Sequence, residues 1–311
     1  MNTNLKTQVK KPQDIFGINP IAAMPFTAEG NVDLNSFKTM LEHLITTGCY
    51  GVTLFGIASE FYKLNDAEKA QLTDIFISTL ADKNMYRCIS VTEHSTELAV
   101  KQAKIYQEAG ADCLMLLPPF FLKPDNAQVK EHICAVLQAV DVPVLVQYAP
   151  TETGVPIPAE QLAEISKEFP NAVFKIECNP PVEYIQALLT LLPDAVILNG
   201  YAGLYMTDVL SVGGKGVMPG CSFTEVYMSI YKLWIAGDHE AANSLHQRLL
   251  EYIRPWMESC EYIIQVEKTI LHKRGIITDD YCRKPNFALS QDDESIINEF
   301  LKDFDNILKG A

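Results

Sequence analysis

The sequence predicts a (β/α)8 TIM barrel with a C-terminal helical extension, and three observations carry that prediction. From Gly17 onward short apolar runs alternate with amphipathic stretches long enough for helices, the pattern of repeated βα units on a parallel sheet. The apolar runs number eight, the number that closes such a barrel. Beyond the eighth run only helical patterns follow, more of them than closure needs.

The runs lie at 18–24, 51–55, 87–91, 113–117, 144–148, 173–176, 196–199 and 216–218. Between them the helices have readable starts. Asp33 opens one whose Phe37, Met40, Leu41 and Leu44 recur at helical spacing, and Asn65 with Glu68 makes a capping box for the next, through Leu80. Ser95 caps the third, through Glu108, and Asp125 opens the fourth. Pro158 and Pro181 stand near the starts of the fifth and sixth, where a missing N–H is harmless. The terminal helices are expected at 224–235, 238–258, 262–274 and 292–308, with Trp234, Tyr252 and Trp256 as packing residues. The expected division is a flexible arm at 1–14, the barrel at 15–236 and the helical extension at 237–311. The arm is polar and has no apolar segment, so it reads as neither signal peptide nor membrane anchor.

The chain is long and apolar enough to bury a large core, with 311 residues of which 48% are hydrophobic. A formal net charge of -14 argues against nucleic acid or an anionic membrane as partner, since either repels such a surface. The eight cysteines include no C-x-x-C pair, and several fall in apolar runs, which suggests reduced core thiols and a cytoplasmic location. The six histidines form no ligand-spaced cluster, so no metal is expected.

One run stands apart. Residues 173–177 read Val, Phe, Lys, Ile, Glu, placing a cation inside an apolar strand bounded by the turn signals Pro170-Asn171 and Asn179-Pro180-Pro181. Strand alternation puts Val173, Lys175 and Glu177 on one face and Phe174 and Ile176 on the other. An ammonium stripped of its hydration yields the free amine more readily, and the amine attacks carbonyls to form Schiff bases. A lysine whose stem covers apolar surface while its head reaches water is the other reading at this point. Glu177, one step nearer the C-terminal strand ends where barrels do their chemistry, is a candidate acid–base group. The alternative for it is bonding only to backbone N–H groups of the 179–181 loop.

Other strand ends add to this. After the second run stands Gly56-Ile57-Ala58-Ser59-Glu60, whose backbone N–H groups and Ser59 hydroxyl suit a carboxylate, though an ordinary βα turn reads the same way. The fourth run leads into Leu117-Pro118-Pro119-Phe120-Phe121-Leu122-Lys123-Pro124 and the fifth into Gln147-Tyr148-Ala149-Pro150-Thr151-Glu152-Thr153-Gly154. Together with Met24-Pro25-Phe26-Thr27, Lys175 and Gly213-Gly214-Lys215-Gly216-Val217-Met218, these motifs in this order resemble the dihydrodipicolinate synthase and N-acetylneuraminate lyase family, over about residues 15 to 310.

The resemblance implies a lysine-dependent, class I aldolase-type lyase that acts on a 2-oxo acid such as pyruvate or a 2-keto-3-deoxy sugar acid, without a cofactor. It makes Lys175 the Schiff-base lysine, with Glu177 and Tyr148 as acid–base candidates and Ile57, Ala58, Ser59, Gln147, Gly200 and Met218 as substrate-binding positions. It also implies a homodimer or homotetramer. Departures from the family pattern narrow the activity. The Y-N-x-P segment of synthases and neuraminate lyases is matched by Gln147-Tyr148-Ala149-Pro150, its tyrosine one place late, so Tyr148 reaches the lysine's face only if the strand end bulges. The G-T-T-G-E turn has lost two hydroxyls, Phe121 matches a relay aromatic but has no hydroxyl, and Glu152 matches the arginine that binds a second substrate's carboxylate in synthases. Dihydrodipicolinate synthesis is therefore not expected. Val146-Gln147-Tyr148-Ala149-Pro150, Lys175-Ile176-Glu177-Cys178-Asn179-Pro180-Pro181 and Ala202-Gly203-Leu204-Tyr205 are closer to sugar-acid dehydratase and lyase branches. A 2-oxo-acid-binding or scaffolding barrel that has lost turnover is the rival reading.

Overall fold

The computed structural model describes residues 11–310. Eight strands form one parallel sheet: β1 (Gly17–Ile18), β2 (Gly51–Leu54), β3 (Tyr86–Val91), β4 (Cys113–Leu116), β5 (Val144–Tyr148), β6 (Ala172–Ile176), β7 (Ile197–Asn199) and β8 (Gly216–Val217). Their order is β1-β8-β7-β6-β5-β4-β3-β2, with helices alternating along the chain. This is the (β/α)8 barrel. The helices are α1 (Leu34–Thr47), α2 (Asp66–Leu80), α3 (Thr96–Ala109), α4 (Asn126–Ala139), the single turn α5 (Pro150–Thr153), α6 (Ala159–Glu168), α7 (Val182–Leu191) and α8 (Met206–Ser211). After β8 come α9 (Thr224–Ile235), α10 (His239–Trp256), α11 (Cys260–Lys273), α12 (Gln291–Asp303) and α13 (Asp305–Leu308).

The local chemistry explains most boundaries. Asp33 caps α1 by accepting from Asn35 N and Ser36 N, and Ser95 caps α3 through Leu98 N. Asn65 with Glu68 and Asp125 with Gln128 form reciprocal capping boxes on α2 and α4, each satisfying two otherwise orphaned donors. Every residue of β2, β4, β5, β6 and β7 is buried, as strands covered on both faces require. The first run differs from expectation. Pro20 has no N–H for the ladder, so regular pairing stops at Ile18, and Ile21 resumes contact as isolated parallel bridges to Thr53 and Gly220. The last expected helix breaks at Phe304, dividing it into α12 and α13.

The chain gathers into two compact units, one holding the residues up to Gly17 with Asp82–Met218, the other Ile18–Ala81 with Pro219 and all that follows. In the first, β3 to β8 run side by side and β5 pairs with β6 over five residues, from Val144↔Ala172 to Tyr148↔Ile176. In the second, aromatic rings fill the core between the terminal helices. Phe300 lies 5.0 Å from Phe223, 5.3 Å from Trp256 and 5.3 Å from Tyr252, mostly edge to face. Of the expected arm, positions 1–10 lie outside the described residues, and Pro12–Asp14 makes one 3-10 turn. Among the described residues no helix is long and apolar enough to cross a membrane, and Cys49, Cys88, Cys113, Cys178, Cys221 and Cys282 are buried.

Candidate active site

The site grows from β6 in the first unit. Asn171, in the turn before it, ties the strand's start to its neighbours: its amide donates to Leu137 O and Val140 O, and its carbonyl accepts from Val144 N. The strand then runs regularly between β5 and β7, with Lys175 opposite Gln147 on one side and Leu198 on the other. Lys175 is only 3% exposed. Past the strand's last residue, Glu177 N still donates to Tyr148 O at 2.8 Å, which keeps the backbone extended and holds Glu177 on the face of Lys175. The Lys175 Nζ to Glu177 Oε1 distance is 3.1 Å.

The bonds that hold the Glu177 carboxylate come from outside the 179–181 loop. The Gln147 amide donates to its Oε2, and Tyr201 N donates to its Oε1 at 3.2 Å. The second bond depends on an unusual backbone after β7. Tyr201 and Ala202 both adopt left-handed conformations, φ 56° and 50°, which turns the Tyr201 N–H onto the carboxylate. Gly200 is where that turn passes closest. A Cβ built there lies 1.9 Å from Glu177 Oε1, so any side chain at this position displaces the carboxylate. Asn199 anchors the same segment by donating from Nδ2 to Ile176 O at 2.8 Å, and Met218, buried just beyond β8, donates its N–H to Asn199 O.

The other positions named from sequence fall as follows. Tyr148 stays in regular register with Ile176, without a bulge, so its ring lies on the face opposite Lys175. There it stacks on Tyr184, ring centroids 4.5 Å apart, and burial raises its phenol above the usual range. That corrects the expectation of Tyr148 as an acid–base group. Ile57–Ser59 form a 3-10 turn in the second unit, closed by Ser59 N to Gly56 O and Glu60 N to Ile57 O. The single Ser59 hydroxyl proton is donated to Ala22 O at 2.6 Å, so this hydroxyl is not a carboxylate donor as expected. What the turn retains are the N–H groups of Ile57 and Ala58, which its own bonds do not use.

Two features were missed from sequence. The turn's last residue, Glu60, is left-handed at φ 49° and fully buried, bonded to Lys268 at 2.9 Å and Lys63 at 3.1 Å. Lys268 is itself wholly buried, with its ammonium 4.5 Å from the Phe26 ring. In the first unit, Glu152 on α5 is partly buried, and its Oε2, shut off from solvent, has no hydrogen-bond partner. Burial, reinforced by the charge of Glu177 and opposed by that of Lys175, pushes this carboxyl up to about 7. An acid where synthases carry an arginine was the available signal; its burial was not visible.

Residues 14–304 match the model of the dihydrodipicolinate synthetase family. The chain is 27% identical over 282 residues to the L-2-keto-3-deoxyarabonate dehydratase of Azospirillum brasilense, spanning 89% of this chain and 90% of that one. It is 25% identical over 279 residues to the 4-hydroxy-tetrahydrodipicolinate synthase of Persephonella marina, spanning 89% and 94%. The crystal structure of dihydrodipicolinate synthase from Rhodopseudomonas palustris superposes with a TM-score of 0.86 at 26% identity, over 94% of this chain and 98% of that one.

Proposed function

Because the chain belongs to the dihydrodipicolinate synthetase family and is thereby an aldolase-type lyase for pyruvate-related substrates, we propose that Lys175 forms a Schiff base with a 2-oxo acid and that Glu177 moves the protons. Solvent exchange at C3 of pyruvate that depends on Lys175 separates this reading from the rival of a 2-oxo-acid-binding barrel that has lost turnover. The observation that carries the proposal is the buried pair itself, an amine 3.1 Å from a carboxylate that two further donors hold in place. Transfer of one proton across that contact yields free amine and carboxylic acid. The amine attacks the C2 carbonyl and passes one of its own protons to the oxygen, the acid supplies the second, and the oxygen leaves as water. The resulting iminium withdraws electrons, so the carboxylate of Glu177 can take a proton from C3 and form the enamine.

The substrate is a 2-keto-3-deoxy sugar acid, in preference to pyruvate plus an anionic aldehyde. Two observations support this: the likeness to the keto-deoxyarabonate dehydratase, and Glu152 on α5, which offers no cation to a second carboxylate. Phe121 and Leu122, 79% and 86% exposed, support burial against a second copy of the chain, hence a homodimer or homotetramer in the cytoplasm, which sedimentation would test.

Borohydride reduction with pyruvate and with 2-keto-3-deoxy pentonates, followed by mass mapping, tests the core of the reading. The adduct is expected on the peptide bearing Lys175 and is expected to vanish in Lys175→Ala with the fold intact. Equal trapping in the variant, or an adduct on another peptide, ends the Schiff-base assignment.

A further inference from the structure

Resting on that Schiff-base reading, we infer that Glu152 is a second catalytic residue, the acid that protonates the hydroxyl leaving C4 of a 2-keto-3-deoxy acid, so that the enzyme is a dehydratase.

Glu152 stands on α5, the turn that follows β5 after a single residue, and β5 carries Gln147, the partner of Glu177. That turn is well fixed. Thr153 N and Thr153 Oγ1 both bond to Ala149 O, Gly154 N bonds to Pro150 O, and Gly154 ends the turn in the left-handed conformation at φ 66°. The turn sets Glu152 at the C-terminal end of β5, the strand paired with β6, on which Lys175 stands opposite Gln147. The Glu152 Oε2 is sealed from solvent and bonded to nothing. A buried polar oxygen without a partner is costly, and a substrate hydroxyl that bonds to it removes that cost.

Protonation state follows from the same surroundings. Held up at about 7 by burial first and by the Glu177 charge second, Glu152 is about half protonated at neutrality, where an ordinary glutamate is almost wholly ionised. Two carboxyl groups beside one lysine thereby divide into a base and an acid.

The step balances. Glu177 removes the C3 proton, and the C–H pair becomes the enamine. The enamine then expels the C4 hydroxyl: the C4–O pair leaves with oxygen, the oxygen takes the Glu152 proton, and water departs. The iminium is restored, now conjugated with a C3–C4 double bond. Hydrolysis frees Lys175, Glu177 releases the C3 proton to solvent, and solvent returns a proton to Glu152.

The test compares wild type, Glu152→Gln and Glu152→Ala. Pyruvate has no C4, so borohydride trapping and C3 proton exchange with pyruvate are expected at near wild-type levels in both variants. Dehydration of 2-keto-3-deoxy pentonates is expected to fall 10²- to 10⁴-fold, the usual contribution of a general acid. A 4-fluoro analogue, whose fluoride leaves without a proton, is expected to restore most of the rate, which a merely structural role would not produce. Wild-type dehydration in both variants, no rescue by fluoride, or wild-type turnover of these substrates by cleavage alone overturns the inference. Absence of any pyruvate adduct in wild type instead overturns the Schiff-base reading beneath it.

Discussion

Replacing Gly200 with alanine should separate the two halves of the proposed chemistry. Its φ of -102° lies outside the left-handed region, so the demand for glycine at this position is one of space. The added Cβ would stand 1.9 Å from Glu177 Oε1, 2.4 Å from Cδ and 2.5 Å from Cγ. Approaches of a Cβ under 3.0 Å are essentially never seen, so the Oε1 atom must retreat by about an ångström, with a further shift of the rest of the carboxyl. Its bonds to Lys175 and Tyr201 already span 3.1 and 3.2 Å, and that retreat breaks both. A misplacement of about 1 Å in a catalytic group costs on the order of 10²-fold, and loss of a general base 10² to 10⁴. Exchange of the pyruvate methyl protons for deuterium, followed by NMR, is therefore expected to slow at least about 100-fold in Gly200→Ala. Borohydride trapping at Lys175 is expected to slow as well, because Glu177 takes the lysine's proton, yet to reach completion on long incubation, since the amine itself remains. Disturbing the buried pair should also lower stability by up to about 3 kcal/mol, read by urea denaturation. Wild-type exchange in a folded Gly200→Ala variant that still traps pyruvate would refute the assignment of proton transfer to Glu177.

Three further outcomes are expected. Lys268→Met leaves the buried Glu60 with Lys63 as its remaining direct ion-pair partner among the described residues and should cost about 3 kcal/mol of unfolding free energy; adding Glu60→Gln should recover part of it, and a single-variant loss below about 1 kcal/mol would count against the pair. Burial raises Glu267 to about 8 against the opposing N–H groups of Cys221 and Ser222. The folded pKa lies above the unfolded one, so the stabilising contribution is full below about 4.5 and is lost by up to about 1.4 kcal/mol per unit as pH rises to about 8. Glu267→Gln should remove that slope from urea titrations across this window, and an unchanged slope would contradict it. Pyruvate with aspartate semialdehyde should give no appreciable condensation in a coupled assay, since Glu152 supplies no cation for the aldehyde's carboxylate; efficient turnover would show the site to be misread.

Much of the fold was legible because its signals are local. Asn65 with Glu68 and Asp125 with Gln128 announce helix starts within four residues, and both capping boxes are present. Strand alternation placed Lys175 and Glu177 on one face, and they are paired there. What stayed hidden depends on register between strands about thirty residues apart. The Gln147 bond to Glu177 needs β5 and β6 aligned at Gln147↔Lys175, and the same alignment turns Tyr148 away. Gly200 looked like any glycine after a strand; only the position of Glu177 shows why nothing larger fits. Lys268 and Glu60 are still farther apart along the chain, and a lysine in an amphipathic helix gives no sign of being wholly buried.

The division of the chain into one nearly continuous unit and one split unit bears on how it emerges from a ribosome. Ile18–Ala81 is made early, yet its companions from Pro219 onward follow only after about 140 further residues, which at about 5–20 residues per second is a wait of roughly ten seconds or more. During that wait α1 lacks α9, against which it packs in the finished protein, and Met40 lacks Cys221, 3.6 Å from its sulfur. Asp82–Met218, by contrast, is complete when its last residue appears. Protease resistance in stalled nascent chains should therefore arise first in the middle of the sequence and last at its beginning.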